Sequence, residues 1–134
     1  MITNILQNEY FIVDYYNSHK TLMYKFLKFV PSQIYKESML TMRDYFIKNR
    51  LRKLMPVLAN AQVVNPEDQK WFTDEIIPKM AQSGLKYVAI IPPNTVFGTV
   101  SSENIIRTLE NSNDGVIRKV FKSESEGLTW LDTF

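Results

Sequence analysis

Residues 63–85 read VVNPEDQKWFTDEIIPKMAQSGL, a helix that carries its own start and stop signals between two apolar runs. Asn65 is an N-cap, because its side-chain oxygen can accept from a free backbone N–H of the first turn. Pro66 follows at the first helical position, where its missing N–H costs nothing. Glu67 and Asp68 put negative charge at the positive end of the helix dipole. Trp71, Phe72, Ile76 and Met80 recur at spacings that make one apolar stripe. Gly84 closes the segment, since glycine takes the positive φ of a helix C′ position without strain. The flanking runs, 54–59 and 86–91, are apolar with little alternation, the pattern of strands buried on both faces. A capped helix between two such strands implies a parallel crossover. Pro78 is the discordant residue. It removes one helical hydrogen bond and disfavours α geometry at Ile77, so a kink or short break is expected there.

The rest of the chain is arranged around that unit. Residues 1–8 form a lead-in with at most one helical turn. Residues 10–16 and 21–29 are rich in aromatic and β-branched side chains and predict a hairpin about the turn 17–20. Tyr35, Met39, Met42 and Phe46 repeat at intervals of four, three and four, predicting a helix over 32–49. Pro56 weakens the strand reading of 54–59 because it lacks a ladder donor. After a loop at 94–100, Ser101 opens a third helix with Ile105, Ile106 and Leu109 on its apolar side. A turn at 112–115 leads to a strand over 116–121. Ser123 to Glu126 cap a terminal helix that runs through Trp130 and Leu131. The predicted order is β-β-α-β-α-β-α-β-α: one α/β domain, 1–134, with a mixed, mostly parallel sheet that contains one antiparallel pair.

Composition removes several function classes. The 134 residues include no Cys and one His, His19, so thiolate catalysis, disulfides and a multi-histidine metal site within one chain are excluded. The formal net charge of +2 and the four glycines point to neither nucleic acid nor a glycine-rich phosphate loop. The first residues lack a secretory signal pattern, and no apolar run reaches the ~20 residues of a membrane span. The expectation is a cytoplasmic chain that needs no cofactor.

The element order, with Asn65 to Trp71, then Ile77-Pro78-Lys79, Gly84 to Ala89, and Pro93 to Phe97, resembles the small bacterial STAS-like proteins related to the anti-sigma factor antagonist of sporulation. PEDQxW followed by GLKY is its most specific block. The resemblance covers about Tyr10 to Leu131 and implies a STAS-like fold and a protein-interaction module, docking an unidentified protein partner and possibly forming a homodimer. In that family a Ser or Thr at the start of the helix after the third strand is phosphorylated, which adds charge at a docking surface. Here the matching segment, 59–68, is ANAQVVNPED and holds no hydroxyl residue.

Candidate partner contacts are therefore Asn60, Asn65, Glu67, Asp68 and Trp71. Each has a plainer role beside it: Glu67 and Asp68 as a first-turn dipole pair, Trp71 as core. Lys48, Arg50, Arg52 and Lys53 cluster at a helix end, where cations suit the dipole; an acidic protein, a phosphate or an anionic lipid headgroup is the sharper reading. Met23, Met39, Met42 and Met55 read as core filler. The alternative function is a small-ligand carrier, binding an apolar or anionic molecule between the sheet and its helices.

Overall fold

The computed structural model describes residues 1–58, 65–93, 102–111 and 113–134, with the backbone alone at 102–105. Six strands form one sheet in the order of the sequence: β1 (Ile2–Gln7), β2 (Phe11–Tyr16), β3 (Thr21–Phe26), β4 (Lys53–Val57), β5 (Tyr87–Ile90) and β6 (Ile117–Val120). The pairs β1–β2 and β2–β3 are antiparallel, and the remaining three are parallel. The helices are α1 (Ser32–Lys48), α2 (Pro66–Trp71), α3 (Ile77–Ser83), α4 (Ser102–Glu110) and α5 (Glu124–Leu131).

One expectation is corrected here and another takes a specific form. The lead-in is a strand, β1, and it adds a second antiparallel pair. Its side chains are mostly exposed, and only Ile5 and Leu6, around a bulge in the register, are half-buried. Backbone bonding to β2, rather than burial, makes it a strand, so no apolar period announces it. Before Pro78, where a kink or short break is expected, the irregularity takes the form of a π turn. The segment stays helical, and residues Phe72–Ile76 form a π turn between α2 and α3. The N–H of Ile77 reaches five residues back to the carbonyl of Phe72. A single-turn π bulge is a common way for a helix to absorb such a mismatch.

Pro56 sits within β4, opposite Tyr24 of β3. The β4–β5 register runs Lys53–Tyr87 and Leu54–Val88, then resumes only at Val57–Ile91. The proline occupies a gap in the ladder, which is how a central strand tolerates it.

Each parallel connection steps one place in the same direction. With right-handed crossovers, all three must place their helices on one face of the sheet. The core agrees. Leu22, Tyr24, Leu54, Val88 and Ile90 pack on that face against Tyr35, Met39, Met42 and Phe46 of α1, Ile76 of the π turn and Met80 of α3. The alternate residues Met23, Met55, Val57, Ala89 and Ile91 face the other way, under Leu131, Leu128 and Trp130 of α5. The period-2 alternation of β3 to β5 thus feeds two separate cores. All four methionines read as core filler are 0–2% exposed.

α1 and α3 end in the same motif. At α3, Leu85 N–H bonds to Met80 carbonyl and Gly84 N–H to Ala81 carbonyl, with Gly84 at φ 126°. At α1, Leu51 N–H bonds to Phe46 carbonyl and Arg50 N–H to Ile47 carbonyl. This is the paired 6→1 and 5→2 bonding of a Schellman cap. Arg50 stands where α3 has glycine, at φ 52°.

Candidate functional site

A doubly wound sheet binds ligands where the strand order reverses and neighbouring crossovers part to opposite faces. A sheet in strict sequence order has no such point. Space for a ligand must come from the layer between the sheet and its helices, or from the strand ends.

The helix start at residue 65 is built as the sequence implies. Asn65 Oδ1 accepts from the N–H of Glu67 at 2.8 Å. Glu67 is exposed, but Asp68 is only 5% exposed. Its Oδ1 accepts from the hydroxyl of Ser32 at 2.7 Å, across to the first turn of α1. A buried carboxylate is expensive unless hydrogen-bonded; here it stands at the positive ends of two helices as well. Asp68 is therefore a joint between helices, and its burial removes it from the candidate contacts. Tyr35 lies beside it, and burial, with the Asp68 charge second, holds the Tyr35 phenol well above its ordinary value. Trp71 is half-buried, edge-on to Tyr35 at 6.2 Å, with Lys36 Nζ 5.8 Å from its ring centre. Asn60 lies outside the described residues. Asn65, Glu67 and Trp71 remain near one another at the surface of α2, while Asp68 turns inward.

A second feature is a cleft of about 600 Å³ between the sheet and the helices α3 and α4. Its floor is Tyr24, Leu54, Pro56, Val88 and Ile90, the helix-facing residues of β3 to β5. Phe72 and Thr73 of the π turn, with Ile77, Pro78 and Ala81, form one wall, and Leu109 of α4 stands on the other. The polar end is Thr108, Asn111, Asn113, Asp114 and Arg118. Arg118 and Asp114 meet in a bidentate pair, Nη1 to Oδ1 at 2.9 Å and Nη2 to Oδ2 at 2.8 Å. Asp114 is the one carboxylate lining the cleft among the described residues, and Arg118 neutralises it. Burial raises the Tyr24 phenol far beyond the ordinary tyrosine range, so it stays protonated at the cleft floor. The lining has an apolar floor and an apolar helix wall, with its polar groups gathered toward one end. That chemistry suits holding a molecule.

The sequence reading did not foresee the cleft as a set of residues. Phe72 packs on the core with the apolar stripe and also lines the cleft, from within the π turn. Pro78 was the only available signal.

His19, expected in an exposed turn, is in the single turn of 3₁₀ helix Asn17–His19. Its Nδ1 is 2.9 Å from both carboxylate oxygens of Asp132, which ties that turn to the end of α5. Among the described residues no group of three acidic or histidine side chains is placed to hold a metal ion. No helix among them is long and apolar enough to cross a membrane. No family model matches this chain, and no curated protein or solved structure is significantly similar to it.

Proposed function

We propose that this chain is a non-enzymatic binding domain, of STAS-like build, that takes up a small apolar molecule between its sheet and the helices α3 and α4. The observation that carries the reading is the cleft. A volume of about 600 Å³ with an apolar floor and one neutralised ion pair at its end falls within the ~300–1,000 Å³ of small-molecule sites. Tyr24, Phe72, Leu54 and Ile90 supply contact area, and the Arg118–Asp114 pair supplies orientation.

Native mass spectrometry of freshly purified protein tests it, together with titration of an environment-sensitive apolar dye. Ala81→Trp fills the cleft from its helix wall. The expected result is a reproducible co-purifying mass or saturable dye binding in the parent, lost in Ala81→Trp at an unchanged Tm. A bare chain with no dye binding would remove the proposal.

A second reading is the protein-interaction module implied by the family resemblance. Exposed Glu67 and half-buried Trp71 beside the capping Asn65 favour it, since a Trp at a surface with a charged neighbour suits a docking hot spot. Sedimentation and affinity capture with Trp71→Ala as control address it. A monomeric mass, with no protein captured by the parent and lost by the variant, counts against both docking and a homodimer.

A further inference from the structure

A different groove, of about 400 Å³, lies at the edge of the sheet where β3, β4 and β5 begin. Lys20, Arg50, Arg52 and Lys53 line it, with Tyr87 and Phe134. Lys20 immediately precedes β3, Lys53 opens β4 and Tyr87 opens β5, so three adjacent strand starts deliver these residues to one place. We propose that this groove binds a phosphate group carried by a small molecule.

The charges are the first argument. None of the four cations forms an ion pair within 4.0 Å among the described residues. Four like charges gathered with no direct ion pair repel one another, and a polyvalent anion relieves that repulsion. The negative end of the α1 dipole suits Lys48 and Arg50, which stand at the end of that helix; Lys20, Arg52 and Lys53 come from outside it, at the starts of β3 and β4.

The backbone is the second. Lys20 at φ 51° and Arg50 at φ 52° are the two non-glycine residues with positive φ among the described residues. Both are cations, and both line this groove. The left-handed region disfavours any side chain with a Cβ. The Schellman cap of α3 uses Gly84 at the equivalent position, so the fold has an unstrained solution that α1 does not use. Strain kept at a ligand-facing position is a mark of function rather than stability.

The anion's class follows from the donors. Two guanidinium groups offer planar pairs of N–H donors that match phosphate oxygens, and two ammonium groups add point charge. The Phe134 ring stacks on Tyr87 with centroids 3.8 Å apart and is half-exposed, giving an apolar shoulder for whatever bears the phosphate.

The test is calorimetry on the whole chain with sodium pyrophosphate and with AMP at 50 mM NaCl, beside flotation with phosphatidylcholine vesicles with or without phosphatidylinositol 4-phosphate. The expected result is saturable 1:1 binding that weakens as NaCl rises to 200 mM. Arg50→Gly should weaken it at least tenfold while raising Tm by ~3 °C, because the strain is relieved. Arg52→Gln, at an exposed side chain in no ion pair, should weaken it similarly at an unchanged Tm and carries the test if the first variant misfolds. Binding of the soluble compounds alone assigns a free phosphate ligand; flotation that needs the phosphoinositide and is lost in Arg52→Gln assigns a headgroup. Absence of saturable binding in every arm, binding untouched by both variants, or retention only by a polyanion such as heparin would overturn the proposal.

Discussion

The hydroxyl of Ser32 donates to the buried carboxylate of Asp68 across 2.7 Å, and so joins the first turn of α1 to the first turn of α2. Pro31 provides no side-chain cap for α1, and Asp68 brings negative charge to that helix start from outside it. Removing the hydroxyl leaves a carboxylate short of a donor. Ser32→Ala should cost about 1 kcal/mol and Asp68→Ala about 2 kcal/mol by urea denaturation. Because the two side chains share one bond, the double variant should cost at least ~0.5 kcal/mol less than the sum. Exposed Glu67→Ala should stay within ~0.5 kcal/mol. Additive costs would show that the contact is incidental.

Gly127 is buried in α5 against the sheet. A Cβ added there would stand 3.3 Å from Ala89 Cβ, Ile91 Cδ1 and Met55 Sδ at once. Met55 and Ile91 can yield at their flexible ends, but Ala89 belongs to a central strand and cannot. Gly127→Ala gains helix propensity of ~1 kcal/mol and loses a comparable amount to crowding, so its Tm should stay within ~3 °C of the parent. Gly127→Val cannot be accommodated and should cost at least ~2 kcal/mol. Thermal unfolding of both separates close packing from a helix position that merely happens to be glycine.

Three tyrosines make the fold sensitive to alkali. Burial, then the neighbouring Glu124 carboxylate, pushes Tyr16 up to about 12 from 10.0. Burial raises Tyr24 and Tyr35 further. A phenol with a higher pKa in the folded state binds its proton more tightly there than in the unfolded chain. The associated stability is therefore fully present below pH ~10 and is lost as pH rises through 10 toward 12 and beyond. Tm should be level from pH 7 to 9 and fall steeply above 10. Tyrosinate absorbance should rise cooperatively with unfolding, and Tyr16→Phe should soften the fall near pH 12. A gradual, non-cooperative ionisation of all tyrosines around pH 10 would contradict the buried environments.

Much of this architecture was legible because its signals are local. Asn65-Pro66 and Ser123 with Glu126 mark helix starts by the chemistry of unpaired N–H groups, and both caps form, Ser123 Oγ accepting from Glu126 N–H at 3.2 Å. The spacing of Tyr35, Met39, Met42 and Phe46 located α1 because burial on one face imposes that period. β1 was illegible because an edge strand with exposed side chains has no period to impose. Asp68 stands in the first turn as the sequence reading has it, but its burial was not legible, because helix-start chemistry looks the same whether the carboxylate faces water or a second helix. The groove at the strand starts is a tertiary fact. Lys20 is 30 residues from Arg50 in sequence, and only the parallel pairing of β3 with β4 brings their neighbourhoods together.

Pro78 connects a backbone defect to the proposed cleft. Lacking an N–H, it cannot bond to the carbonyl four residues earlier, and Ile77 reaches Phe72 instead. The wider turn sets Phe72 and Thr73 into the cleft wall ahead of Ile77 and Ala81. Pro78→Ala restores the donor and permits regular α bonding through 72–77. Amide resonances of those six residues should then shift far more than those of α1 or α5. Apolar dye binding should weaken at least twofold as Phe72 rotates, and Tm should move by less than ~3 °C because Pro78 is exposed and Ile76 keeps its place in the core. If the resonances and the dye affinity both stay put, packing of Ile76 rather than the proline holds the π turn, and the cleft wall owes its shape to the core beneath it.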